Sequence, residues 1–128
     1  MSTPLRGLAL LLWSADPDAP ARLATPFMHA AAAAAMDVEV EVYFSARSVE
    51  LLVPGVAAAI HPGAVRTHSV EHFMTEARSH GAKFYACSAS LQAAGIDPGS
   101  LAGRVDGFAG ASSVIARLAE PGWQVMVF

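Results

Sequence analysis

The chain has 128 residues, 54% of them apolar and only 15% charged, with a net charge of −3. That length predicts a single domain spanning 1–128 with room for a buried core. The mild acidity and the lack of a basic stripe leave nucleic-acid binding without support, and no apolar run reaches the roughly 18 residues that a membrane span needs.

Charged residues make up about 25% of a typical soluble domain. A chain this poor in charge cannot cover its surface in the usual way. It is therefore expected to form a homo-oligomer that buries apolar surface between subunits.

In chain order, Gly7–Trp13 reads as a first buried strand, a continuous apolar run of the kind found in parallel sheets. Arg6 and the run after it faintly imitate a signal peptide, with Ala19-Pro20-Ala21 as its cleavage site; the strand reading is preferred, because cleavage there would remove the strand that starts the fold. Asp16 to Pro20 is a turn, and residues 19–24 can add a short helical turn. Thr25-Pro26 reads as an N-cap and N1 pair for a helix through the alanine run to Met36. Small side chains in that run would let the helix lie close to a sheet.

Val38–Phe44 is the second strand, and its alternating valines and glutamates predict a less buried face, at a sheet edge or near one strand end. Ser45 is placed to cap a helix through Leu52, which Pro54-Gly55 breaks. Val56–Ile60 is a short helix or a loop. Ser69 caps the clearest helix, residues 70–80, stopped by Gly81. Then come a third strand at 83–87, a short helix ending at Gly95, a fourth strand at 105–108, a helix at 110–119 and a last strand at 123–128. Such alternation argues for a parallel sheet with helices on both faces.

Cys87 is the only cysteine. A lone cysteine excludes an internal disulfide framework and a cysteine zinc cluster, and it fits the reducing cytoplasm. It ends the third strand just before a helix. In an open α/β sheet, ligands bind outside the carboxyl ends of the strands. Unpaired N–H groups at a helix start also favour thiolate, with Ser88 and Ala89 as the N–H donors. The competing reading is a buried structural cysteine. With no second cysteine, dithiol mechanisms and an intramolecular resolving disulfide are excluded, which leaves one-thiol chemistry.

The remaining constellations have plainer readings. A histidine beside Cys87 would activate it, but His29, His61, His68, His72 and His80 show no pattern that fixes such a pair. His68 and His72 are four apart, yet His68 precedes the cap, so a metal pair is not supported. Asp16 and Asp18 could bind Mg²⁺ or act as acid and base, but a turn-and-cap role explains them more simply. Gly107–Ser112 matches neither the dinucleotide nor the phosphate-loop pattern and reads as a tight strand-to-helix turn. Met28, Met36 and Met74 read as core or interface filler. No metal and no organic cofactor is expected.

The segment Gly81-Ala82-Lys83-Phe84-Tyr85-Ala86-Cys87-Ser88-Ala89-Ser90-Leu91-Gln92-Ala93-Ala94-Gly95-Ile96 resembles the cysteine segment of the DsrE/DsrF-like family, which includes the DsrEFH and TusBCD sulfur-relay proteins. Ala34–Val40 and Gly107–Phe128 are similar to the family's second-strand start and closing helix and strand. The resemblance implies a three-layer α/β/α sandwich with a five-stranded, mostly parallel sheet, assembled as a trimer or hexamer. It also implies a sulfur-carrier or sulfurtransferase-like role, in which Cys87 accepts a persulfide sulfur from a donor protein and passes it to an acceptor. The alternative is a non-catalytic ligand-binding or assembly module of the same fold. A thiol peroxidase is disfavoured: peroxiredoxins carry Pro and Thr shortly before the reactive cysteine, where this chain has Phe84, Tyr85 and Ala86.

Overall fold

The structure is a computed structural model and describes residues 4–64, 66 and 68–128. Strands β1 (Gly7–Leu12), β2 (Glu39–Phe44), β3 (Lys83–Ala86), β4 (Gly107–Phe108) and β5 (Trp123–Val127) form one five-stranded sheet in the order β4-β3-β2-β1-β5. Every pairing is parallel, with Leu8 opposite Val40 and Gln124, and Val42 opposite Phe84. The helices are α1 (Thr25–Ala35), α2 (Val70–Ser79), α3 (Ser88–Ala94) and α4 (Ala111–Ala119). The fold is therefore α/β with helices on both faces of an all-parallel sheet, as the alternation implied.

The period of two along each strand creates two unequal cores. Leu8, Leu10, Leu12, Val40, Val42, Phe44, Phe84 and Ala86 point to one face, where α1, α2 and α3 bring Phe27, Ala30, Met74, Ala77 and Leu91. Phe27, Phe44 and Phe84 pack there as an aromatic triplet with ring centroids 5.0–5.9 Å apart. Ala30 is fully buried, so the alanine run does bring α1 close to the main core. The other face carries Ala9, Leu11, Tyr43, Tyr85, Trp123 and Val125, and its helical cover is α4 through Val114.

Several boundaries differ from the sequence reading. β1 stops at Leu12, because the N–H groups of Trp13 and Ser14 both donate to the Phe128 carbonyl (2.7 and 2.9 Å) and turn the chain off the sheet. The turn before α1 is a 3-10 helix at Pro20–Arg22, and α1 takes Ala24 as its N-cap, one residue before Thr25. Residues Ala46–Leu52 form a 3-10 rather than an α-helix. Pro54 pushes Val53 into extended backbone and cuts the segment short, so tight turns suffice. Ser45 is its N-cap, as expected, in a capping box with Ser48: the Ser45 N–H donates to Ser48 Oγ (2.9 Å), and the Ser45 hydroxyl also donates to the Leu12 carbonyl (2.9 Å). Ala57–Ala59 is a further 3-10 turn.

β2 is an inner strand, not an edge. Its glutamates are explained by Glu39 at the exposed strand start and by Glu41 paired with Arg117 of α4. β4 is only Gly107–Phe108, because the Asp106 carboxylate accepts the Phe84 N–H (2.7 Å) where a backbone carbonyl would have extended the ladder. Among the described residues, no helix is long and apolar enough to cross a membrane.

Gly7 shows how tightly the second face closes. A Cβ there would lie 2.0 Å from the Trp123 ring, whose other side is held by the Arg117 guanidinium at 3.9 Å from the ring centre. Gly7→Ala is therefore expected to cost about 1–3 kcal/mol, the usual penalty of overpacking, read as a lower midpoint in urea with unchanged slope.

Candidate functional site

Cys87 continues β3 by one hydrogen bond, its N–H donating to the Phe44 carbonyl at 2.9 Å. It then leaves the sheet as the N-cap of α3 (φ −73°, ψ 118°), and its own carbonyl accepts the Leu91 N–H at 3.0 Å. α3 closes at Gly95, which takes the left-handed conformation (φ 70°) that favours glycine, as the sequence indicated.

The position is set by topology. The chain leaves β1, β2 and β3 onto the face of the large core, but leaves β4 for α4 onto the opposite face. The carboxyl ends of β3 and β4 therefore bound a crevice between oppositely directed connections, the place where open α/β sheets hold ligands. Cys87 stands on one lip and Gly110 on the other. A Cβ on Gly110 would meet Cys87 Sγ at 3.4 Å, so glycine keeps that side of the sulfur open. Gly110→Ala is expected to slow alkylation of Cys87 about two- to fivefold by restricting access, as measured with iodoacetamide near neutral pH.

The thiol pKa is lowered. The first cause is a hydrogen bond from the Ser90 hydroxyl; burial works against it, and the backbone N–H groups of Ser90 and Ala89 add to the lowering. Ser90 Oγ also accepts the Ala46 N–H at 2.9 Å, which leaves the hydroxyl hydrogen free for the sulfur. Ala46 reaches that hydroxyl with a positive φ of 51°, uncommon for a residue with a Cβ. The groups that lower the thiol pKa belong to Ser90 and Ala89, and Ser88 is not among them. An N-cap side chain faces the N–H groups of N2 and N3, and Ser88 is N1. The spacing Cys-x-x-Ser carries this signal, because a cap and its N3 residue face each other.

On its open side Cys87 borders a cleft of about 280 Å³, walled by Leu11, Trp13, Tyr43, Ala109, Val114 and Ile115. Tyr43 stacks on Tyr85 with ring centres 5.4 Å apart, and its hydroxyl donates to Glu41 at 2.6 Å. Burial and the Glu41 carboxylate hold this phenol well above the ordinary tyrosine range. Sequence reading did not connect these walls to the cysteine: they come from β1, β2 and α4, and only the crossover into α4 brings them together. A second cleft, of about 500 Å³, lies on the far side of Ser90 between Ala46–Glu50 and α3.

The other candidates lie elsewhere. None of the five histidines lines the Cys87 cleft. His68 and His72 stack on each other with ring centres 4.7 Å apart, and the Ser69 hydroxyl accepts the His72 N–H. His29 Nδ1 is 2.8 Å from the Thr25 carbonyl, and its ring packs on Phe128. Asp16 and Asp18 both pair with Arg47, and Asp16 accepts the Asp18 N–H at 2.8 Å, so they form a turn and an ion-pair cluster with Glu50. Met74 is buried, whereas Met28 and Met36 are exposed.

Comparison with curated proteins gives no match. The family model does match, and over nearly the whole length: from Ala9 in β1 to Phe128 just after β5, including Cys87 and both lips of its crevice, the chain belongs to the DsrE/DsrF-like family (residues 9–128).

Proposed function

We propose that this protein is a sulfur carrier of a protein sulfur relay, with Cys87 as the sulfur-bearing residue. The observation that carries the reading is the placement of one thiol, biased toward thiolate by Ser90 and Ala89, in the crevice at the carboxyl edge of the sheet. Membership of the DsrE/DsrF-like family supports sulfur as the cargo.

The chemistry balances without an added oxidant. Cys87 thiolate attacks the outer sulfur of a donor persulfide. A sulfur–sulfur bond forms to Cys87 as the donor's own sulfur–sulfur bond breaks, and the donor leaves as thiolate with the electron pair. An acceptor thiolate then attacks the outer sulfur of the Cys87 persulfide and returns Cys87 to thiolate. No metal or organic cofactor enters these steps. The reducing cytoplasm suits a carrier that must not be trapped as a disulfide.

The donor and acceptor are proteins in this reading, and the carrier itself is a homo-oligomer, a trimer or hexamer. Met36 and Leu118 support association, at 76% and 60% exposure away from the cleft. A binding module without transfer remains the second reading, favoured by the apolar character of the cleft.

The test is a mass measurement after incubation with a persulfide donor. The expected result is a gain of one sulfur, about 32 Da, that is absent in Cys87→Ser. No adduct, together with slow alkylation at neutral pH, would overturn the carrier reading in favour of the binding module. A gain of oxygen with peroxide turnover would point to the peroxidase.

A further inference from the structure

We infer that the cleft beside Cys87 is a subsite for an uncharged apolar group, so that, beside its protein partners, the site admits small thiols and persulfides that carry an alkyl or aryl substituent rather than a charged one. This rests on the sulfur-carrier reading and specifies the donor or acceptor group that the same site admits.

The wall composition carries the argument. No charged side chain lines the cleft. The arginines on the flanking elements are already engaged, Arg47 with Asp16, Asp18 and Glu50, and Arg117 with Glu41 and Glu120. A carboxylate entering with the substrate would therefore lose water without gaining a cation, a large cost in an apolar site. The two hydroxyl side chains in the wall are turned away: Tyr43 donates to Glu41 and Ser45 donates to the Leu12 carbonyl. Besides Cys87 Sγ, the polar side-chain group in the wall is the Trp13 indole N–H, a neutral donor that supplies no cation.

Size sets the group. A volume of about 280 Å³ lies just below the range that holds drug-sized ligands, and it suits a single ring or a short alkyl chain. Trp13 and Ile115 stand at the mouth with most of their surface exposed, so an apolar substituent gains contact with both on entering. For a donor R–S–SH, the Cys87 thiolate takes the outer sulfur with its hydrogen, the donor's sulfur–sulfur bond breaks, and R–S⁻ leaves with the electron pair. One negative charge enters and one leaves. The apolar R group occupies the cleft throughout.

The test measures how fast Cys87 in the full chain is modified by three methanethiosulfonates: benzyl, sulfonatoethyl and trimethylammonioethyl. Each rate is divided by the rate of the same reagent with N-acetylcysteine. The normalised benzyl rate is expected to exceed both charged rates about tenfold or more, the discrimination an apolar pocket provides. Ile115→Glu, a change at an exposed position, should remove most of that preference while the protein stays folded by circular dichroism. Equal normalised rates, or a preference for the anion, would overturn the inference.

A parallel pair of donors, benzyl persulfide and glutathione persulfide, separates the two levels. Sulfur deposited equally fast by both would leave the carrier reading standing and refute the apolar selectivity. Benzyl-selective thiosulfonate reaction with no sulfur deposited by either donor would refute the carrier reading and leave the cleft as a site for apolar thiols.

Discussion

Ser90→Ala is expected to slow the alkylation of Cys87 at pH 7 by about three- to tenfold and to move the midpoint of its pH–rate profile upward. The Ser90 hydroxyl is the first cause of the lowered thiol pKa, and burial opposes it. Removing the hydroxyl leaves burial working against the Ala89 and Ser90 N–H groups alone. Hydrogen bonds to charged groups are worth about 1.5–3 kcal/mol, and the rate effect is smaller because a less stabilised thiolate is also more nucleophilic. The sign is fixed: a lowered pKa means more thiolate at neutral pH, and its loss is felt below the thiol's ordinary range and fades at alkaline pH. Rates in wild type and variant should therefore converge or cross above pH 10. A uniform slowing at every pH would instead mean that Ser90 acts on access alone. The same variant leaves the Ala46 N–H without its acceptor, so the chain at the β2 end should exchange its amide hydrogens faster.

The architecture was legible because β1 is a continuous apolar run of the kind a doubly covered parallel sheet needs, and α2, α3 and α4 each end in a glycine or a proline turn. What escaped was whatever depends on partners distant in sequence. Asp106 shortens β4 by bonding Phe84, which lies 22 residues earlier. Glu41 makes β2 resemble an edge strand, yet its partner Arg117 is 76 residues away. The site divides in the same way. Cys87 was readable from its local setting, at the end of a strand and the start of a helix. Ser90 was within reach through its spacing, but a seven-residue helix with two serines offers a choice that only cap geometry resolves. The walls from Leu11, Tyr43 and Ile115 were not readable at all, since no local pattern says that α4 crosses to the opposite face and closes over the end of β1.

Arg117→Met is expected to destabilise the fold by about 2–4 kcal/mol at pH 7. The guanidinium holds Glu41 through two bonds of 2.7 and 2.8 Å, binds Glu120 at 2.7 Å and covers the Trp123 ring. The Glu41 side chain is only 13% exposed, so removing Arg117 leaves a carboxylate with little water and one remaining partner, the Tyr43 hydroxyl. Burial alone would raise the Glu41 pKa, but the bonds from Arg117 and Tyr43 outweigh it and hold it below the ordinary carboxylate value. A carboxylate lowered in the folded state gives stability that is fully present above its unfolded pKa and lost as pH falls through its folded one. The gap between wild type and Arg117→Met should therefore be widest at neutral pH and shrink in acid, as Glu41 protonates in both. Glu41→Gln should cost a similar amount at pH 7 but show no such acid limb of its own. A gap that stays constant from pH 7 to pH 3 would assign the loss to the Trp123 contact instead of the ion pair. Because α4 is the helix covering this face of the sheet and supplies Val114 and Ile115 to the cleft, the variant should also speed hydrogen exchange in α4 and weaken the cleft's discrimination among thiol reagents, with the pKa of Cys87 left in place by its separate bond to Ser90.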